Sequence, residues 1–75
     1  MIALNKAESG NDYLVTWMMG AASNLLRNGF GLKENTVIHV AHSYRDGSAI
    51  ISYDGKRVAI GSDTAYSVKL EPLSA

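Results

Sequence analysis

Two histidines, His39 and His42, stand three residues apart in the apolar run TVIHVAHSYRDG from Thr36 to Gly47, with the carboxylate of Asp46 just beyond. Imidazoles and a carboxylate are the ligand types of a transition-metal site, so this trio is the first candidate for chemistry. The run reads as a strand, and successive strand side chains point to opposite faces. Residues an odd number apart therefore diverge, whereas a chelating pair needs i and i+2 spacing. Ile38 and Val40 claim the inner face, which leaves His39 in solvent and His42 near the strand end, close to the Asp46 turn. The spacing predicts no joint metal site for His39, His42 and Asp46; only a bulge between the histidines would return them to one face.

The other chemistry-bearing residues point to structure. Gly29-Phe30-Gly31 opens like a dinucleotide fingerprint, but Glu34 occupies the third glycine position and no Gly-Lys-Ser/Thr follows to cradle phosphates. Ser62, Asp63 and Thr64 carry hydroxyls and a carboxylate with no histidine near them in sequence, and the same residue types cap a helix. The carboxylates of Glu8, Asp12, Glu34, Asp46, Asp54 and Glu71 fall mostly in turns or at element ends, where solvated charge is normal. No catalytic residue and no cofactor is predicted. Trp17, Met18 and Met19 cannot all point inward from one strand, so some of that surface is available to a partner. The simpler expectation for the three is that Trp17 anchors the core while the methionines cover a helix.

The elements that hold these residues follow from alternation and turn chemistry. Asp46-Gly47 and Asp54-Gly55 are hairpin signals, because glycine accepts the positive φ of a tight turn. They bracket a strand from Ser48 to Tyr53, and a further strand from Lys56 to Gly61 completes a three-stranded meander. Ser62 to Ala65 reads as one helical turn with Ser62 as its cap, and Tyr66 to Leu70 as a last strand ending before Pro72. In the first half, Tyr13 to Trp17 suits a strand and Ala21 to Asn28 a short helix stopped by Gly29, with Leu25 and Leu26 toward its buried side. This order describes a mainly β, SH3-like, partly open barrel of about five short strands with one short helix outside the sheet, a single domain over residues 1–75.

Composition narrows the function. A chain of 75 residues buries about 60% of its unfolded surface, too little for a large cleft with its own catalytic apparatus. The absence of cysteine excludes disulfides and thiolate metal sites. Seven Lys and Arg balance seven Asp and Glu without clustering, which argues against a nucleic-acid or anionic-membrane surface. The longest apolar stretch, Tyr13 to Ala22, is shorter than the roughly 20 residues of a membrane helix, and MIALNK lacks the regions of a signal peptide. A cytosolic protein is the expectation.

GSAIISYDGKRVAIGSDTAYSVKL resembles the C-terminal hairpin, helical turn and closing strand of the ferrous iron transport A (FeoA) family, also found as the C-terminal domain of iron-dependent repressors. The matching points are Gly47, Arg57, Ala59, Ala65 and Val68, joined upstream by Leu4, Gly10, Val15, Gly31-Leu32, Val37, Ile38 and Val40. Asn35 stands where similar proteins usually place a glycine, and asparagine tolerates left-handed backbone better than most residues. The resemblance implies an SH3-like module acting with the FeoB ferrous iron permease, whose cytosolic GTP-binding domain carries the nucleotide chemistry. Two other readings stay open: an SH3-like adaptor binding a peptide through Trp17, Tyr44 and Tyr53, and a small metal-binding or metal-sensing protein using His39, His42 and Asp46. Self-association is also open. For a partner surface, the residues expected to combine are Met18, Met19, Leu25, Leu26 and Phe30.

Overall fold

The computed structural model describes residues 1–73. Six antiparallel strands form one sheet in the order β1-β6-β2-β3-β4-β5. They are β1 (Ile2–Ala3), β2 (Asp12–Met18), β3 (Val37–Ser43), β4 (Ala49–Tyr53), β5 (Lys56–Ile60) and β6 (Val68–Pro72). A 3-10 turn, Leu4–Lys6, follows β1; α1 (Ala22–Phe30) links β2 to β3, and α2 (Ser62–Tyr66) links β5 to β6. The mainly β, SH3-like architecture is as expected, with a sixth strand contributed by the two-residue β1.

The meander β3-β4-β5 is built on the two expected turns. Asp54 and Gly55 both take positive φ, 50° and 74°, as a two-residue hairpin demands, and Gly47 takes φ 97° in the turn before β4. Alternation fills the interior: Ile38, Val40 and Ile51 are fully buried, together with Leu4, Val15, Leu26, Leu32, Val68 and Leu70. Ile2 and Val58, on the edge strands β1 and β5, are only partly covered, whereas Ile60 at the end of β5 is buried.

Several boundaries differ from expectation. Gly29 does not stop α1; the helix runs to Phe30, and Gly31 ends it in the left-handed conformation at φ 68°, with the Leu32 amide donating to the Leu26 carbonyl at 2.9 Å. Leu26 faces the barrel, whereas Leu25, about 100° around the helix, is 60% exposed. Ser62 does not cap α2: Gly61 occupies the cap position in extended backbone, and no side chain bonds there. Tyr66 closes α2 rather than opening the last strand, so β6 starts at Val68 and includes Pro72. Beyond α1, Arg27 grips Glu34 through two nitrogens, and these hydrogen bonds hold the Glu34 carboxyl below its usual range. Asn35 stands at φ 72°, the left-handed role expected of it.

Both strands facing the middle of the sheet carry bulges. In β2 the register with β6 shifts between Val15 and Trp17; in β3 the register with β4 shifts between Val40 and His42. Each inserts one residue, Thr16 or Ala41, and so reverses the facing of every side chain that follows it in the strand. At the other margin of the sheet, β1 pairs with β6, Ile2 opposite Leu70, and the α-amine of Met1 lies 3.8 Å from a Glu71 carboxylate oxygen.

Candidate functional site

The bulge at Ala41 changes what His39 and His42 can do. His39 stands opposite Ser52 and His42 opposite Ile50; Ser52 and Ile50 are two residues apart in β4 and share its outer face. The two imidazoles therefore share that face, contrary to the divergence that unbroken alternation predicts, and both are exposed. Across the sheet on the other side, His39 pairs with Asp12, and its Nδ1 lies 2.7 Å from Asp12 Oδ1. An ionised carboxylate only accepts, so Nδ1 carries the proton, and in the neutral ring the lone pair is then on Nε2. The His42 ring packs against Tyr44 with centroids 4.3 Å apart.

Asp46 is engaged elsewhere. Its Oδ1 accepts from the Ser48 amide at 2.9 Å and from the Ser48 hydroxyl at 2.7 Å, a local turn lock that keeps the carboxyl below its usual range. Among the described residues, no group of three or more histidines and carboxylates is placed to hold a metal ion. Asp12, His39 and Ser52 form a cross-strand row with the residue types of a hydrolase. They share one face of the sheet, with Asp12 and His39 exposed.

The five residues expected to make a partner surface separate. Met18 and Leu26 are core side chains, 4% and 1% exposed, and cannot meet a partner. Met18 turns inward because the extra residue Thr16 reverses the alternation after Val15, and Leu26 lies on the helix face docked to the barrel. Met19 is half-buried, while Leu25 and Phe30 remain exposed on α1, about 140° apart around the helix.

The same bulge sends Trp17 outward, 51% exposed, so it is not the core anchor that alternation from Tyr13 and Val15 predicts. Trp17 faces Lys69 on β6, whose ammonium sits 4.0 Å from the centre of the Tyr66 ring and donates to the Tyr66 carbonyl at 2.7 Å. Thr16 Oγ1 donates to the Lys69 carbonyl at 3.1 Å, tying the bulge to β6. This exposed pair of aromatic residues around a lysine was not visible from spacing; the only sequence signal was a threonine amid apolar neighbours.

Trp17, Tyr44 and Tyr53 do not line one groove. Tyr44 and Tyr53 flank opposite ends of β4, and Tyr53 is buried, its hydroxyl donating to the Phe30 carbonyl at 2.7 Å. Among the described residues, no helix is long and apolar enough to cross a membrane.

No protein-family model matches the chain, and no curated protein matches it. Among solved structures it is similar to a crystal structure of the iron uptake regulatory protein FeoA, with a TM-score of 0.82 and 30% identity over 96% of each chain. It is also similar to the solution structure of a FeoA-like protein from Clostridium acetobutylicum, with a TM-score of 0.79 over 99% of this chain and 88% of that one; at 19% identity, that likeness is one of fold.

Proposed function

The chain belongs to the FeoA family of iron uptake regulatory proteins, and from that premise we propose that it is a cytosolic accessory protein of ferrous iron uptake that works by contact with the FeoB permease rather than by catalysis. The observation that carries this reading is the 30% identity to FeoA across 96% of both chains. The local features agree with it. Gly29 and Gly31 serve the end of a helix instead of a phosphate cradle, which is in keeping with a reading that leaves nucleotide chemistry to the permease. Leu25 and Phe30 leave apolar surface on α1, the element outside the sheet, and they are the residues of this chain that we assign to the contact. The peptide-adaptor reading loses its support, since the aromatic residues it needs are dispersed.

The test is capture of the purified cytosolic GTP-binding domain of FeoB by the immobilised protein. Leu25→Glu and Phe30→Glu should each weaken capture about tenfold or more, as loss of an apolar anchor does. Leu25 is exposed, so its variant should melt at almost the wild-type temperature. No capture by the wild type would overturn the partner; undiminished capture by both variants, with loss only on Trp17→Glu, would move the contact to the β2-β6 face.

A further inference from the structure

We propose that His39 and His42 form a bidentate chelate for a divalent transition-metal ion on the outer face of the sheet, with Asp12 as the group that orients His39. The inference rests on geometry independent of the family reading. A chelating pair on a strand needs both side chains on one face, and the Ala41 bulge supplies this by setting His39 and His42 opposite Ser52 and Ile50. Two positions of β4 thus span what three steps along β3 cover.

The state of His39 suits a ligand. Its Nδ1–H is held by the Asp12 carboxylate at 2.7 Å, which selects, for the neutral ring that binds a metal, the tautomer with its lone pair on Nε2. Carboxylate, imidazole and metal in series is the usual outer-shell pattern of histidine sites, where the carboxylate orients the ring and raises its basicity. The His42 and Tyr44 rings meet at a 54° tilt with centroids 4.3 Å apart, a ring-to-ring contact rather than a hydrogen bond of a His42 nitrogen. Imidazole nitrogen selects zinc, copper, nickel, cobalt and iron over magnesium and calcium, and affinity among the divalent ions should rise from iron through cobalt and nickel to copper. With two protein ligands, the remaining positions are open to water, so the ion is exchangeable.

The experiment uses the full chain and Ni(II) as the titrant in calorimetry, with Co(II) as the paramagnetic probe in amide NMR spectra. One Ni(II) should bind per chain, and His39→Ala and His42→Ala should each weaken it by about tenfold or more; Asp12→Asn should cost roughly tenfold, the low end for an outer-shell partner. Co(II) should broaden the amides of Ile50 and Ser52 in the wild type, a readout that does not depend on any variant folding. Absence of saturable binding, or binding that survives removal of either histidine, would overturn the chelate. Unchanged affinity in Asp12→Asn would overturn the part given to that carboxylate.

Discussion

Tyr53 is a core residue whose polar end is spent on a helix. Its ring is 5% exposed, and its hydroxyl donates to the Phe30 carbonyl, which also accepts from the Lys56 ammonium at 3.1 Å. Burial, and then the charge of Asp54, push the phenol above its ordinary range. Folding thus favours the protonated ring; the associated stability is complete below the unfolded pKa of about 10 and lost as pH rises through the raised value. Tyr53→Phe should cost about 1 kcal/mol at neutral pH, the worth of one such hydrogen bond. Urea unfolding of both proteins from pH 7 upward should show that gap narrowing above about pH 10; a gap constant with pH would mean that folding does not raise the phenol's pKa, and no gap at pH 7 that the hydroxyl's bond contributes nothing. At this scale the sequence was legible wherever a residue's backbone preference decides the matter. Asn35, Asp54 and Gly55 take left-handed φ as their side chains, or lack of one, suggest. It was not legible for Tyr53, because no local pattern couples a strand tyrosine to the end of a helix 23 residues earlier.

The elements were read from periodicity, and their errors share a cause. A period-two argument holds until an extra residue enters the ladder; Thr16 and Ala41 each enter one, and Trp17, Met18 and His42 lie just downstream. Neither threonine nor alanine carries a bulge signature as glycine does, so the facing of those side chains depends on partners that lie far along the chain. Helix α1 shows the same limit with two glycines to choose from. Gly29 is helical, and a Cβ there would meet only the tip of the exposed Leu25 side chain, Cδ1 at 3.0 Å; Gly31 holds φ 68°. Gly29→Ala should therefore leave stability unchanged or raise it by up to about 1 kcal/mol through helix propensity, the flexible Leu25 tip moving aside. Gly31→Ala should lower it by about 1 kcal/mol or more, since an L side chain is strained at that φ. Thermal unfolding of the two variants decides the point: destabilisation by the first and not the second would place the helix stop at Gly29.

On the scale of the molecule, one buried cluster draws from β2, β3, β4, β5, β6, α1, α2 and the 3-10 turn, in a body of 30 × 24 × 23 Å. The SH3-like class was readable because turn signals and alternation recur at short intervals in the second half. The N-terminal strand was not, because Ile2–Ala3 is too short for any periodicity and exists only by pairing with residues from the far end. That pairing has a kinetic meaning. β6 is the last strand made and lies between β1 and β2, with Val15 as well as Ile2 set opposite Leu70. Folding must close nearly the whole chain into a loop before those contacts form. Since Met1 lies beside Glu71, a short flexible linker can join Met1 to the residues that follow β6, and a circular permutant opened between Met19 and Gly20, at an exposed glycine, would place β6, β1 and β2 in succession. Its cost is a longer route for β2 to reach β3, fewer pairs than the two strand contacts brought close. The permutant has the lower contact order, so stopped-flow refolding should be faster than for the natural order, and equal or slower refolding would mean that uniting the two ends of this chain is not what limits its rate.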